Sequence, residues 1–142
     1  MPICEINYPC GLFSENEKNN IVERVTKLLL EAEGLEDNPI SRSICLINIE
    51  EANSMYIGGK RTDKGKVVIK IFAFQEAYSD EIKENLYVKI TDIFIEENKH
   101  TKEANGNNIS CMIFPINGNN FGVGERPVTL EITRKIVSSY KS

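Results

Sequence analysis

The sequence lacks the features that would place the protein in a membrane, outside the cell or on nucleic acid. No apolar run approaches the roughly 20 residues that span a bilayer, and the first ten residues have neither the basic segment nor the continuous apolar segment of a secretory signal. The net charge is -4, and Lys and Arg are scattered, whereas phosphate binding needs them clustered. We therefore expect a cytoplasmic protein with no nucleic-acid and no membrane partner.

Metal-ligating residues are also scarce. The four cysteines show no CxxC spacing, and the single histidine, His100, cannot complete a familiar zinc set with them. Cys4, Cys45 and Cys111 lie in apolar, strand-like runs, where a reduced cysteine behaves as a small hydrophobic side chain. We expect no metal site and no cofactor, and we expect these cysteines to fill the core.

What the sequence does contain is an internal repeat, in a chain whose 142 residues suit one domain better than two independent ones. Three short anchors recur in the same order, 65 or 66 residues apart. They are Phe13-Ser14-Glu15 with Tyr78-Ser79-Asp80, Cys45-Leu46-Ile47 with Cys111-Met112-Ile113, and Ile57-Gly58 with Val123-Gly124. The repeat predicts two similar units over residues 1–65 and 66–126, sharing one core and followed by a tail over 127–142.

The first unit has the pattern of strand, helix, strand. Residues 3–8 alternate as a half-buried strand does. Ser14 and Glu17 form an S-x-x-E capping box, and apolar residues at helical spacing then run to Gly34. After the turn signal Asp37-Asn38-Pro39, residues 43–49 are typical of a buried strand, and Ile57-Gly58-Gly59 indicates a closing turn or hairpin.

The second unit repeats this pattern. We predict a strand over 67–74, a helix starting after Ser79, a long polar loop over Lys99–Asn108, and a strand over 109–114 that Pro115 ends or bulges. Two such units imply an α/β (α+β) fold, in which a four-stranded, mainly parallel sheet carries both long helices on one face. The other face would need a partner chain, which predicts oligomerisation. The tail fits both a strand and a helix, and we favour a helix that docks on the core or on a neighbour.

These features together resemble the tautomerase superfamily, the family of 4-oxalocrotonate tautomerase. The resemblance covers about residues 2–126 and is carried by Met1-Pro2-Ile3, by the strand-helix-strand units and by the glycine turns at Ser54–Gly59 and Phe121–Gly124. The fused two-unit length is similar to the cis-3-chloroacrylic acid dehalogenase and malonate semialdehyde decarboxylase branches. The resemblance implies a homotrimer, with Pro2 at the bottom of each active site.

Pro2 is also chemically suited to that role. A small second residue permits removal of Met1, and the proline that remains carries a secondary amine. Ordinary α-amino groups titrate near 7.7 to 8.0, and burial or nearby cations would lower that pKa. A neutral Pro2 nitrogen could then act as a general base, and a protonated one as a general acid. The second unit starts inside the chain and has no free amine, so we expect one site per chain.

The arginines that bind carboxylate substrates in this superfamily are poorly matched. Gly11 is followed by Leu12, and Gln75 and Tyr78 occupy the positions of two arginines of the cis-dehalogenase. The resemblance leaves Arg42, Gln75, Tyr78, Phe121 and Arg126 as candidate substrate-binding residues. Solvated arginines, a helix staple at Tyr78 and core packing of Phe121 are the alternatives for these positions.

Two functions follow. The first is an enzyme in which Pro2 acts as general base or acid on a small 2-oxo acid, enol or unsaturated acid, by tautomerisation or by hydration, dehalogenation or decarboxylation. The second is a catalytically silent binding or structural protein with the same fold, suggested by the missing arginines.

Overall fold

The computed structural model describes residues 1–64, 66–98 and 106–142. The polar loop predicted over Lys99–Asn108 falls mostly on residues 99–105, and both this stretch and His100 lie outside the described residues. The division between the two units at residue 65 also lies outside them and stays a prediction.

The first half of the chain forms a strand, a long helix, a short helix, a second strand and a hairpin. These elements are β1 (Ile3–Pro9), α1 (Glu15–Ala32), α2 (Pro39–Ser43), β2 (Leu46–Ala52), β3 (Met55–Ile57) and β4 (Lys60–Thr62). Ser14 caps α1, because its side chain accepts a hydrogen bond from the amide of Glu17. Gly58 and Gly59 have positive φ values of 57° and 78° and join β3 to β4, which confirms the predicted hairpin.

The second half repeats the order of strand, long helix, strand and hairpin, and it adds a C-terminal helix. Its elements are β5 (Val67–Phe74), α3 (Asp80–Glu97), β6 (Ile109–Ile116), β7 (Gly122–Val123), β8 (Arg126–Pro127) and α4 (Leu130–Ser138). Ser79 caps α3 through the amide of Ile82, with φ and ψ within one degree of those at Ser14. The helical interpretation of the tail is confirmed by α4.

The four long strands form one sheet in the order β2-β1-β5-β6. Pairing within each half is parallel, and β1 and β5 join the two halves in antiparallel fashion. The predicted four-stranded, mainly parallel sheet is therefore confirmed. Because β1 and β5 run in opposite directions, the start of β1 lies beside the end of β5, with Ile3 opposite Phe72.

The core lies between the sheet and the helices α1 and α3, which contact each other. Alternate residues of β1 and β5 face it, among them Cys4, Ile6 and Ile71, all fully buried. Burial of each large aliphatic side chain of this kind stabilises the fold by about 1.5–3 kcal/mol. Cys45 and Cys111 are partly buried beside the core, whereas Cys10 is exposed.

The opposite face of the sheet carries an apolar row that crosses all four strands. The register aligns Leu46, Ile3, Phe72 and Phe114 side by side, and the rings of Phe72 and Phe114 stack with their centroids 4.9 Å apart. No other described element of the chain covers this row well, since Leu46 is 57% exposed and Phe114 39% exposed. We call these four residues the open-face row.

Two sequence predictions about strands are wrong in detail. The strand predicted over 43–49 starts only at Leu46, because Asn38 begins the short helix α2: its side chain accepts hydrogen bonds from the amides of Ile40 and Ser41. This strand is also not buried, since β2 lies at a sheet edge. Pro115 neither ends nor bulges β6, because an edge strand can leave one side of its backbone unpaired.

Candidate active site

The N-terminus is enclosed at the edge where β1 starts. Met1 is only 3% exposed and Pro2 is buried. The carbonyl of Pro2 accepts a hydrogen bond of 3.0 Å from the amide of Leu46, which extends the pairing of β1 with β2 beyond the strand itself. Strand pairing therefore fixes the position of the Pro2 carbonyl.

The Met1 ammonium group forms a buried ion pair with Glu33. Its nitrogen lies 3.4 Å from Oε2 of Glu33, and the two side chains are 3% and 0% exposed. A buried charge is costly unless it is paired, so this contact compensates two charges at once. A carboxylate and an N-terminal amine thus share one enclosed position.

The local structure holds Glu33 rigidly. Glu33 is the C-terminal cap residue of α1 and is followed by Gly34, whose φ of 69° turns the chain out of the helix. The guanidinium group of Arg134, in α4, donates two hydrogen bonds to the backbone carbonyl of Glu33, at 3.1 and 2.8 Å. The C-terminal helix therefore clamps the helix end that carries the carboxylate.

Burial dominates the protonation behaviour of this pair. It raises the pKa of Glu33 from its ordinary value of 4.5 to about 7, although the amine, the Phe74 backbone and Arg134 act to lower it. Burial also lowers the pKa of the N-terminal amine below 8.0, against the opposing effect of the Glu33 carboxylate. Because the two groups interact closely, they titrate as a pair.

Two buried polar atoms at this position, Oε1 of Glu33 and the hydroxyl of Tyr78, have no hydrogen-bond partner of standard geometry among the described residues. Burial raises the pKa of Tyr78, and the nearby Glu33 raises it further. Burial likewise raises the pKa of Cys45 to about 11, so this neighbouring thiol is neutral at physiological pH.

A cleft of about 270 Å³ opens beside Met1 on the open face of the sheet. Its lining is mostly apolar, with one carboxylate and one amide: Met1, Ile3, Glu5, Phe72, Ile116, Asn120 and Phe121. Phe121 packs edge-on against Phe74, with centroids 5.6 Å apart, which fixes one wall of the cleft. None of these residues has a positively charged side chain.

The structure brings some of the predicted site residues to this end of the sheet. Phe121 lines the cleft, Pro2 adjoins Met1, and Tyr78 is buried near Glu33. Gln75 is exposed in the turn after β5, and Arg126 is exposed in the β7-β8 hairpin; neither lines the cleft. The roles assigned to these residues in substrate binding stay predictions.

Arg42 lies apart from the cleft lining. Its guanidinium group, at the end of α2, pairs with Asp37 and with both carboxylate oxygens of Glu23, at 2.9 and 3.0 Å. Hydrogen bonds from Arg42 and Lys27 lower the pKa of Glu23 to about 2. Within one chain this arginine joins α2 to α1, and its predicted contact with substrate stays a prediction.

The sequence prediction missed Glu33, although the sequence carries a signal for it. The apolar face predicted for α1 includes Val25 and Leu29, and Glu33 continues the same spacing of four residues. A carboxylate at a core-facing position of an amphipathic helix requires a buried partner.

In the described ranges no group of three or more potential ligands could hold a metal ion, and no helix there has the length and hydropathy to cross a bilayer.

Comparison with known proteins agrees with this geometry. The family model Tautomerase_3, described as an oxalocrotonate tautomerase enzyme, matches residues 1–118. No curated protein sequence matches the chain.

Several solved structures have the same fold. The F6 fused 4-OT wild-type asymmetric trimer is 20% identical, with a TM-score of 0.70 over 88% of this chain and 94% of that one. Pt0534 inactivated by 2-oxo-3-pentynoate is 13% identical, with a TM-score of 0.70 and the same coverage. The macrophage migration inhibitory factor-like protein of Entamoeba histolytica is 20% identical, with a TM-score of 0.66 over 89% of this chain and 98% of that one.

The predicted resemblance, including the fused two-unit form, is confirmed by these matches. Since the family model covers most of the sequence, the chain belongs to the Tautomerase_3 family, whose members are oxalocrotonate tautomerase-like.

Proposed function

We propose that the protein, once Met1 has been removed, uses the amine of Pro2 as general base and general acid on a small 2-oxo acid, enol or unsaturated acid. The observation that carries this proposal is the enclosure of the N-terminal amine, paired with a buried carboxylate beside an apolar cleft. Removal of Met1 would open the cleft toward Pro2, because Met1 is one of its lining residues.

The simplest reaction for this site is tautomerisation. The neutral Pro2 nitrogen takes a proton from the carbon next to the substrate carbonyl, and the electron pair of that C–H bond moves toward the carbonyl oxygen to form an enolate. The protonated Pro2 then returns the proton to a different carbon of the conjugated system or to the oxygen. A base of near-neutral pKa suits both steps, since it accepts and donates at the same pH.

We also propose that the active assembly is a homotrimer. The F6 and Q0 fused 4-OT proteins, which have the same fold, are trimers. Neighbouring chains of a trimer would cover the open-face row, whose four side chains form an apolar surface that adjoins the cleft. The cleft lining has no positively charged side chain. In such an assembly a neighbouring chain would supply one, and the exposed Arg126 is our candidate for it.

Replacement of Pro2 by Ala tests the proposal. Alanine still permits removal of Met1 but leaves a primary amine, so we expect turnover of a keto-enol probe such as phenylpyruvate to fall by at least about a hundredfold. Pro127→Ala is the matched control, because Pro127 is exposed in the β7-β8 hairpin and outside the cleft lining. Intact mass must show the loss of Met1 in all samples. An unchanged rate in Pro2→Ala would remove Pro2 from the mechanism.

Covalent labelling gives a second test. Pt0534, which shares this fold, is inactivated by 2-oxo-3-pentynoate. A conjugated 2-oxo alkyne is an electrophile toward amines, so we expect the same reagent to add to the peptide that begins with Pro2.

The alternative is a binding or structural protein without turnover. One observation favours it: the only charged side chain of the cleft lining is that of Glu5, a carboxylate that would repel an acidic substrate. A chain that has lost Met1, folds and assembles, but neither reacts with the alkyne nor turns over the keto-enol probe, would support this alternative.

A further inference from the structure

We propose that Glu33 is the positioning residue of the Pro2 amine: its buried carboxylate holds that amine in an ion pair after Met1 is removed, and so determines the pH at which Pro2 can accept a proton. This inference rests on the proposed function of Pro2. It concerns a residue outside the predicted site and outside the cleft lining.

Backbone geometry keeps Pro2 within reach of Glu33. Oε2 of Glu33 lies 3.4 Å from the Met1 nitrogen, and backbone bond lengths place the next nitrogen at most about 3.7 Å farther on. The Pro2 nitrogen is therefore within about 7 Å of the carboxylate before any adjustment. Once Met1 is absent, Pro2 carries the N-terminal charge, and the carboxylate would otherwise be left buried and unpaired.

Besides the N-terminal amine, the Glu33 carboxylate has the backbone of Phe74 as a polar neighbour, which helps to lower its pKa. Its Oε1 has no hydrogen-bond partner of standard geometry among the described residues, and its Oε2 contacts the N-terminal amine. Arg134 is bound to the backbone carbonyl of Glu33 and not to its carboxylate. The N-terminal amine is thus the charged group that contacts the Glu33 carboxylate directly.

Several ionisable groups surround Glu33, and the N-terminal amine is the one that titrates together with it. Arg134 faces it from α4, Cys45 from the segment before β2, the Phe74 backbone from the end of β5, and Tyr78 from the segment before α3. Burial raises the pKa of both Cys45 and Tyr78, so these two groups stay neutral near pH 7. Cys4 and Cys111 lie near Tyr78, and burial raises the pKa of each thiol as well. With the thiols and the phenol neutral, the N-terminal amine is the group whose charge changes together with that of Glu33.

The expected effect has a definite sign. An ionised Glu33 stabilises the protonated form of Pro2 and so raises the pKa of its amine. At about 4 to 7 Å and an effective dielectric constant of about 20, a carboxylate raises it by about one to two pH units after partial screening. A neutral glutamine at this position removes that stabilisation, and Pro2 becomes deprotonated at lower pH.

The experiment compares Glu33→Gln with Glu31→Gln in the full-length protein without Met1. Glu31 lies on the same helix, but its side chain is 73% exposed and forms an ion pair with Lys89 at 3.8 Å. We expect the acidic limb of the pH profile of kcat/KM for phenylpyruvate to move down by about one to two pH units in Glu33→Gln and to stay in place in Glu31→Gln. An acidic limb that does not move in a folded Glu33→Gln protein would overturn the inference.

A titration of the unmodified site keeps the inference testable even if Glu33→Gln does not fold. In protein labelled with ¹⁵N-proline, the Pro2 nitrogen should titrate in two steps, because Glu33 and Pro2 act as a coupled pair. A single step at an ordinary α-amino pKa would contradict the pairing. The two proposals fail separately: full activity in Pro2→Ala removes the catalytic proline, whereas an inactive Pro2→Ala with an unmoved limb in Glu33→Gln removes only the role of Glu33.

Discussion

Glu33→Gln should also change how folding stability depends on pH. Glu33 is fully buried, and burial raises its pKa from 4.5 to about 7. Between these two values the folded chain binds a proton that the unfolded chain has released, so the contribution of Glu33 to stability is complete below about pH 4.5 and is lost as the pH rises through about 7.

At about 1.4 kcal/mol per pKa unit, the loss amounts to about 3 kcal/mol. Glutamine has no charge to desolvate at any of these pH values. We therefore expect the unfolding free energy of Glu33→Gln, relative to the unsubstituted protein, to increase by about 3 kcal/mol between pH 4.5 and pH 8. Desolvation is the largest cause of the raised pKa, so the sign is the same whether the partner amine belongs to Met1 or to Pro2.

Urea unfolding at several pH values and one fixed protein concentration measures this difference. Glu31→Gln is again the control, since its exposed side chain should give a difference that changes little with pH. A difference between Glu33→Gln and the unsubstituted protein that stays constant, or that decreases with pH, would refute the assignment of Glu33 as a buried acid whose charged form is disfavoured.

Three other substitutions test separate parts of the structure. Tyr78→Phe removes a buried hydroxyl that has no partner among the described residues, and should raise the unfolding free energy by about 1 kcal/mol in urea titrations, a gain that a hydrogen-bonded hydroxyl would not show. Ser79→Ala removes the cap of α3 and should lower the unfolding free energy by about 1 kcal/mol, as should Ser14→Ala at the matching position; an effect at only one of them would contradict their equivalence. Phe114→Glu places a charge in the open-face row and should dissociate the proposed trimer in light-scattering measurements, whereas Tyr87→Glu, on the outer side of α3, should leave it assembled.

The strands and helices that the sequence predicted well are those whose pattern is local. The apolar run over 67–74 coincides with β5, and Ser14 and Ser79 mark the starts of both long helices. The repeat placed these elements in the same order in both halves, and from that order the parallel pairing followed.

The errors concern features that depend on distant parts of the chain. Pro115 continues β6 because that strand lies at a sheet edge, and the order of strands is a property of the whole sheet. Glu33 was missed because its partner lies 32 residues earlier in the chain.

The short helix α2 was missed for a local reason: Asn38 and Pro39 suit a turn as well as a helix start.

The clamp between Arg134 and Glu33 links the two ends of the chain. The family model matches residues 1–118, and α4 lies after this range. Yet the guanidinium group of Arg134 holds the helix terminus from which the N-terminal amine receives its counter-charge. Shortening the protein to its family-matched portion would therefore retain every cleft-lining side chain except Asn120 and Phe121, but would release the support of the carboxylate behind them.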